Sequence, residues 1–307
     1  MAYSRLTIGT ALMLVFVLSL GASCDGGSDT IQSPYLGGHK GLEAEFQEIG
    51  SISDSGPENE VWEDESFPVV IHLENKGEHT IPAHDVKLEI KGIAKSDFSG
   101  IDFTKDNSEK IEAVDKDYRP DGGQVYIDFG NARYDFLEGT HYDAQIFVEY
   151  TYPYETHINI PRVCIKGDIK DEGVCEVEDT KSAFATAGPI QVGDVKERVM
   201  GRGAVMLEIP IWNAGHGKAK AKKNDEFDST WDEVYFEINN ADWECESASA
   251  NPNIARMSRE GDEKAKIRCY NENIPEKEMS ITALTLKLSY YYQDRINEVV
   301  RIRRVPE

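Results

Sequence analysis

Apolar residues recur at every second position in short runs along most of this chain. Val69, Ile71 and Leu73 alternate with other residues, as do Val86, Leu88 and Ile90. Val125, Ile127 and Phe129, then Ile146, Val148 and Tyr150, continue the pattern. A second series follows with Val205, Leu207, Ile209 and Ile211, then Val234, Phe236 and Ile238, then Leu284, Leu286 and Leu288, and last Val299, Val300 and Ile302. A period of two sends successive side chains to opposite faces of a strand, so one face of each run points into a core. Clusters of Gly, Asn, Asp and Pro separate the runs and supply turns. Beyond residue 23 no stretch carries a helical period. The pattern predicts an all-β protein of antiparallel sheets.

The runs fall into two groups, at residues 42–165 and 190–307, with residues 166–189 as the joint. The groups share features. Val70 to Gly77 and Ile209 to Gly215 each run a strand into Asn-x-Gly, where Asn and Gly tolerate positive φ. Ile146 to Tyr152 parallels Leu286 to Tyr292 near the end of each group. This order of features predicts an internal duplication. Several short strands in about 110–120 residues suggest one immunoglobulin-like β-sandwich per group. Trp243, two residues before Cys245, suits such a core.

The first 23 residues read as a secretory signal, with Arg5 ahead of an apolar stretch from Leu6 to Leu20 and small residues Gly21 to Ser23 before Cys24. Small residues followed by cysteine resemble a lipobox, although Gly21 occupies the position that usually holds a large aliphatic residue. The resemblance implies cleavage before Cys24 and its lipidation, each buried methylene of the acyl chains contributing about 0.8 kcal/mol to anchoring. Ordinary secretion with cleavage near Ser23 is the alternative. Residues 24–41 are polar and glycine-rich and read as a flexible tether spanning roughly 20–25 Å.

Of five cysteines, Cys24 is the odd one. Cys164, Cys175, Cys245 and Cys269 pair most simply as neighbours, although sequence does not choose among three pairings. Disulfides persist in an oxidising compartment, which agrees with export. Zinc is the rival reading, but neither pair has C-x-x-C spacing and no histidine lies close by.

A duplicated strand ending in Asn-x-Gly, preceded in the first group by Glu63 to Pro68, resembles the CARDB-type domains. These are immunoglobulin-like modules of bacterial and archaeal surface proteins. The whole chain also resembles archaeal surface lipoproteins of unassigned function. The resemblance implies a fold and a location at the outer face of the cytoplasmic membrane, and assigns no catalytic residue.

The formal charge of -23 repels nucleic acid and anionic lipid headgroups. The chain has no His-Glu-x-x-His and no Gly-x-Ser-x-Gly. Gly215-His216-Gly217-Lys218 lacks the spacing and hydroxyl of a phosphate loop and reads as a turn. Asp115, Asp117 and Asp121 lie in a loop where carboxylates can converge on calcium, yet the remaining ligand positions are missing, so a solvated turn is expected. Glu58, Glu60, Glu63, Asp64 and Glu65 surround Trp62 and read as an exposed acidic loop or a cation patch. The tyrosines at 150, 152, 154 and 290–292 stack on a sugar in one reading and fill the core in the other.

No catalytic, cofactor or metal residues are expected. The leading expectation is a non-enzymatic cell-surface lipoprotein acting in adhesion, envelope scaffolding or recognition of a protein or glycan. The alternative is capture of a carbohydrate or peptide near a transporter, which requires a cleft with convergent aromatic and polar groups. An enzyme of unfamiliar type would require titratable groups gathered by the fold.

Overall fold

A computed structural model describes residues 31–50, 59–135, 139–168, 170, 173, 175–260 and 264–305. The signal, residues 24–30 of the tether (Cys24 included) and Glu58 lie outside them, while Leu36, Gly37 and Gly38 at the far end of the tether are hydrogen-bonded to Glu78 and Gly188. The first strands are β1 (Leu42–Phe46), β2 (Glu60–Trp62), β3 (Phe67–Asn75), β4 (Lys87–Lys91), β5 (Phe98–Ile101), β6 (Thr104–Asp106), β7 (Gln124–Tyr134) and β8 (His141–Lys166). Short pieces β9 (Thr180–Lys181), β10 (Phe184–Ala185) and β11 (Ile190–Val192) follow. The remainder are β12 (Val195–Gly201), β13 (Ala204–Asn213), β14 (Lys218–Lys220), β15 (Trp231–Ile238), β16 (Glu244–Ser247), β17 (Ile254–Ser258), β18 (Ala265–Asn271) and β19 (Met279–Arg303). No helix occurs among the described residues, so the protein is all-β.

Three sheets form. One is β1-β3-β7-β5 and comes wholly from the first half. A six-stranded sheet built around β16-β18-β13-β12-β9, with β11 on β13, comes from the second half, with β9 supplied by the joint. The third has nine strands along β17-β15-β19-β8-β4-β6, with β2, β10 and β14 attached, and belongs to both halves. Its spine is the antiparallel ribbon of β8 and β19, 26 and 25 residues long, paired from Lys166↔Met279 to His141↔Arg303. Strands usually run about 3–10 residues. These two are longer because each serves both halves.

Alternation explains the burial. On β8, Ala144, Ile146, Val148, Tyr150, Tyr152, Tyr154, Thr156, Ile158 and Ile160 are buried, while the residues between them are more exposed. Phe67, Val69, Ile71 and Leu73 of β3 face this core in the first half, and Val205, Leu207, Ile209 and Ile211 of β13 in the second. The buried apolar residues form one cluster running through both halves, and Ser33–Glu307 pack as one compact unit. Pro153 sits where β8 has only β19 beside it. Pairing with β4 ends at Thr151 and pairing with β10 begins at Ile158, so a residue without an N–H is tolerated there.

The two halves repeat specific hydrogen bonds. Asn75 Oδ1 accepts from Gly77 N at 3.0 Å, and Asn213 Oδ1 accepts from Gly215 N at 3.0 Å. Each asparagine amide then donates to the carbonyl four residues on, His79 at 2.7 Å and Gly217 at 3.0 Å. The spacing from Asn75 to Asn213 is also that from Tyr152 to Tyr290 and from Tyr154 to Tyr292. Tyr152 pairs with Tyr292 and Tyr154 with Tyr290, so exchanging the halves maps the ribbon onto itself about Pro153↔Tyr291. The tyrosine match is therefore two residues away from the sequence parallel of 146–152 with 286–292.

Disulfides join Cys164 to Cys175 and Cys245 to Cys269. The second links directly opposed residues of β16 and β18, and Trp243 is buried nearby in the chain. Two disulfides are compatible with a non-cytoplasmic protein.

Candidate binding cleft

The tyrosine ladder fills the junction of the two halves. Tyr150, Tyr152, Tyr154, Tyr290 and Tyr292 are at most 3% exposed. Tyr150 and Tyr152 lie nearly parallel with centroids 6.1 Å apart, and the other neighbouring rings meet edge-on or tilted, with centroids of Tyr152 and Tyr292 5.8 Å apart and of Tyr154 and Tyr290 5.9 Å apart. No ring face among these five is free for a sugar to stack on. Tyr291 points the other way and is half-buried on the outer face of the sheet. Burial holds the five hydroxyls well above the ordinary tyrosine range, so all stay protonated.

Four of the five hydroxyls are bonded. Leu42 N donates to Tyr152 at 3.2 Å, Tyr154 donates to Ala187 O at 2.7 Å, and Thr156 and Tyr290 share a bond of 2.9 Å. Gly217 N donates to Tyr292 at 2.9 Å. Among the described residues the Tyr150 hydroxyl has no hydrogen-bond partner.

Tyr150 lies on the floor of a cleft of about 410 Å³ between β1, the turn joining β13 to β14, and the β8–β19 ribbon. The seven histidines are scattered in sequence, yet His39, His72 and His216 all line this cleft. Glu43, Glu45, Glu74 and Asp294 supply carboxylates, and Lys40 and Arg295 supply cations. Most of these groups are already engaged. Lys40 pairs with Glu43 at 2.8 Å. His72 sits between Glu45, at 2.9 Å, and Gln124, at 3.3 Å, and stacks on Tyr126. The Arg295 guanidinium lies 5.1 Å from the Phe147 ring centroid. Asp294 accepts the Arg295 amide at 2.8 Å and makes no ion pair among the described residues. Burial lifts its carboxyl above the ordinary aspartate range, opposed by that amide and by the charges of His216, Arg259 and Arg295. Among the described residues no group of three or more His, Cys, Asp or Glu side chains is arranged to hold a metal ion.

Other recesses lie elsewhere on the described surface. A groove of about 970 Å³ on the outer face of the large sheet is lined by Tyr291, Gln293, Thr151, Glu89 and Phe227, with Lys220 over the Phe227 ring at 4.4 Å. A recess of about 830 Å³ in the second half gathers Arg256, Lys264, Lys266 and Arg268 beside Trp231. Lys266 is matched by Glu208 at 3.0 Å and Arg256 by Glu233 at 2.8 Å.

The acidic and loop motifs have structural employment. β2 pairs in parallel with the end of β19, placing Glu60 against Arg303 and Glu63 3.9 Å from Arg304. Glu65 accepts the Trp62 amide at 3.1 Å. Asp115 accepts the amides of Asp117 and Tyr118 at 2.9 and 3.0 Å, which closes a turn. Gly215 to Lys218 leads from β13 into β14, where Gly217 packs against Tyr292.

Sequence reasoning missed Tyr150 and Asp294 as a pair. They oppose each other on the ribbon, and at the equivalent place in the other half Thr156 opposes Leu288. That mismatch is visible in the sequence only once the repeat is aligned on Asn75 and Asn213. No family model, curated protein or solved structure matches the chain.

Proposed function

We propose that this chain is an exported, lipid-tethered, non-enzymatic recognition module of the cell surface. In this reading the halves are duplicated immunoglobulin-like sandwiches of CARDB type. Cys24 carries the lipid, and the stretch between it and the docked residues Leu36 to Gly38 holds the module off the outer face of the cytoplasmic membrane. The observation that carries it is the β8–β19 ribbon. A continuous hydrogen-bonded spine through both halves suits a rigid platform, whose recesses keep their shape while the tether moves. The charge of -23 supports a partner that is neither nucleic acid nor an anionic bilayer.

Intact mass of the mature protein recovered from membranes tests the reading. A chain starting at Cys24 with a diacylglycerol-sized increment, resistant to thiol alkylation without reductant, is expected. An unlipidated chain found free in the medium would overturn the tethered module.

Capture of a small ligand is the second reading. It is favoured by one observation, the buried Tyr150 whose hydroxyl opens unbonded on a cleft.

A further inference from the structure

We propose that the junction cleft binds a small organic ammonium ligand, held by the Asp294 carboxylate and the Tyr150 hydroxyl. This deepens the capture reading and rests on it.

The two halves repeat their hydrogen bonds around the ribbon, so a departure from the repeat needs a reason of its own. At one end Thr156 opposes Leu288, and the Thr156 hydroxyl is consumed by Tyr290 at 2.9 Å. That corner is closed and satisfied. At the other end the same two positions hold Asp294 and Tyr150, and the corner opens into the cleft. The turn residue following Asn-x-Gly diverges in the same way. Glu78 accepts the amides of Leu36, Gly37 and Ala187 and is structural. His216 takes its place in the second half and lines the cleft.

The Tyr150 hydroxyl has no hydrogen-bond partner among the described residues and opens on the cleft, and the Asp294 carboxylate beside it makes no ion pair there, so one ligand can engage both groups. A hydroxyl can accept from an ammonium and a carboxylate can balance its charge, whereas an anion would be repelled by Asp294. The rest of the lining agrees. Glu43 is held by Lys40, Glu45 by His72 and Glu74 by Lys76, which leaves Asp294 as the carboxylate of the lining without an ion pair among the described residues. The ladder rings offer no stacking face, which disfavours a neutral sugar. The absence of a metal-holding cluster among the described residues disfavours a bare cation. A volume of about 410 Å³ suits an amino-acid- to dipeptide-sized molecule.

The test is calorimetric titration of the detergent-solubilised full mature protein with 1,4-diaminobutane and glycylglycine, using N-acetylglycinamide and glucose as uncharged comparators. Saturable binding of at least one amine and of neither comparator is expected. Asp294→Asn should weaken it by about tenfold or more, and Tyr150→Phe by a factor of about 3–10. Tyr150→Phe keeps the ring packing, so it carries the test if the Asp294 variant folds poorly. Equal binding of N-acetylglycinamide, unchanged affinity in the folded variants, or no binding of either amine overturns the assignment. Membrane retention depends on Cys24 and not on Asp294. Lost amine binding with retained membrane fractionation therefore sinks the ammonium site alone, whereas a chain absent from membranes sinks the tethered module.

Discussion

The Glu197 carboxylate on β12 accepts a hydrogen bond from the backbone amide of Cys164 on β8 at 2.8 Å. Its other oxygen has no hydrogen-bond partner and lies 3.3 Å from the Lys181 ammonium. The side chain is fully buried. The contact ties the second half to the residue that carries the first disulfide.

Burial pushes the Glu197 carboxyl up to about 7, against the pull of Lys181 and the Cys164 amide. The unfolded chain releases this proton near pH 4.5, while the folded chain keeps it until about 7. The folded state thus binds more protons across that window, and this group's contribution to stability falls as pH rises through it. The loss reaches about 3 kcal/mol once both states are ionised. Urea unfolding of wild type and Glu197→Gln between these pH values should show the difference moving steadily in favour of the variant. A constant difference would mean that Glu197 is ionised throughout.

Gly77 and Gly215 each face a ladder hydroxyl. A Cβ on Gly77 would collide with the Tyr154 oxygen, and one on Gly215 with the Tyr292 oxygen. Gly77→Ala and Gly215→Ala should each destabilise by roughly 1–3 kcal/mol through overpacking. Tyr154→Phe should cost less in the Gly77→Ala background than in wild type, because it removes the clashing atom. A double-mutant cycle on melting free energies reads this coupling, and strict additivity would place the strain elsewhere.

The shared ribbon and single apolar cluster predict one cooperative unfolding transition for residues 33–307. Replacing Cys245 and Cys269 together by serine should lower that one transition by about 3 kcal/mol in the chain-entropy account. Two resolved calorimetric transitions would show halves that melt separately.

β2 is held by the chain end. Ile302 and Val61 are buried and in register where β2 meets β19. Ile302→Ala should cost about 2–5 kcal/mol. It should also expose residues 59–65 to limited proteolysis before the rest of the chain. Unchanged cleavage there would mean that the ion pairs with Arg303 and Arg304 suffice without the packing.

The sequence by itself determined the strands. Val69, Ile71 and Leu73, or Leu284, Leu286 and Leu288, had to share a face, because alternation is a property of neighbouring residues. It also determined that five cysteines leave one over and that two Asn-x-Gly turns recur. The tertiary structure decided which strands of different halves lie side by side. Period two gives a strand its faces but not its neighbours, so nothing local announced that β8 and β19 would pair end to end. It decided the two-residue shift in the repeat, since register is set by turns and packing at a distance. The acidic run around Trp62 meets the C-terminal arginines for the same reason. The cleft is the clearest case. Tyr150, His216 and Asp294 come from three distant stretches, each unremarkable locally, and only the register of the ribbon sets a hydroxyl that opens on the cleft opposite a carboxylate.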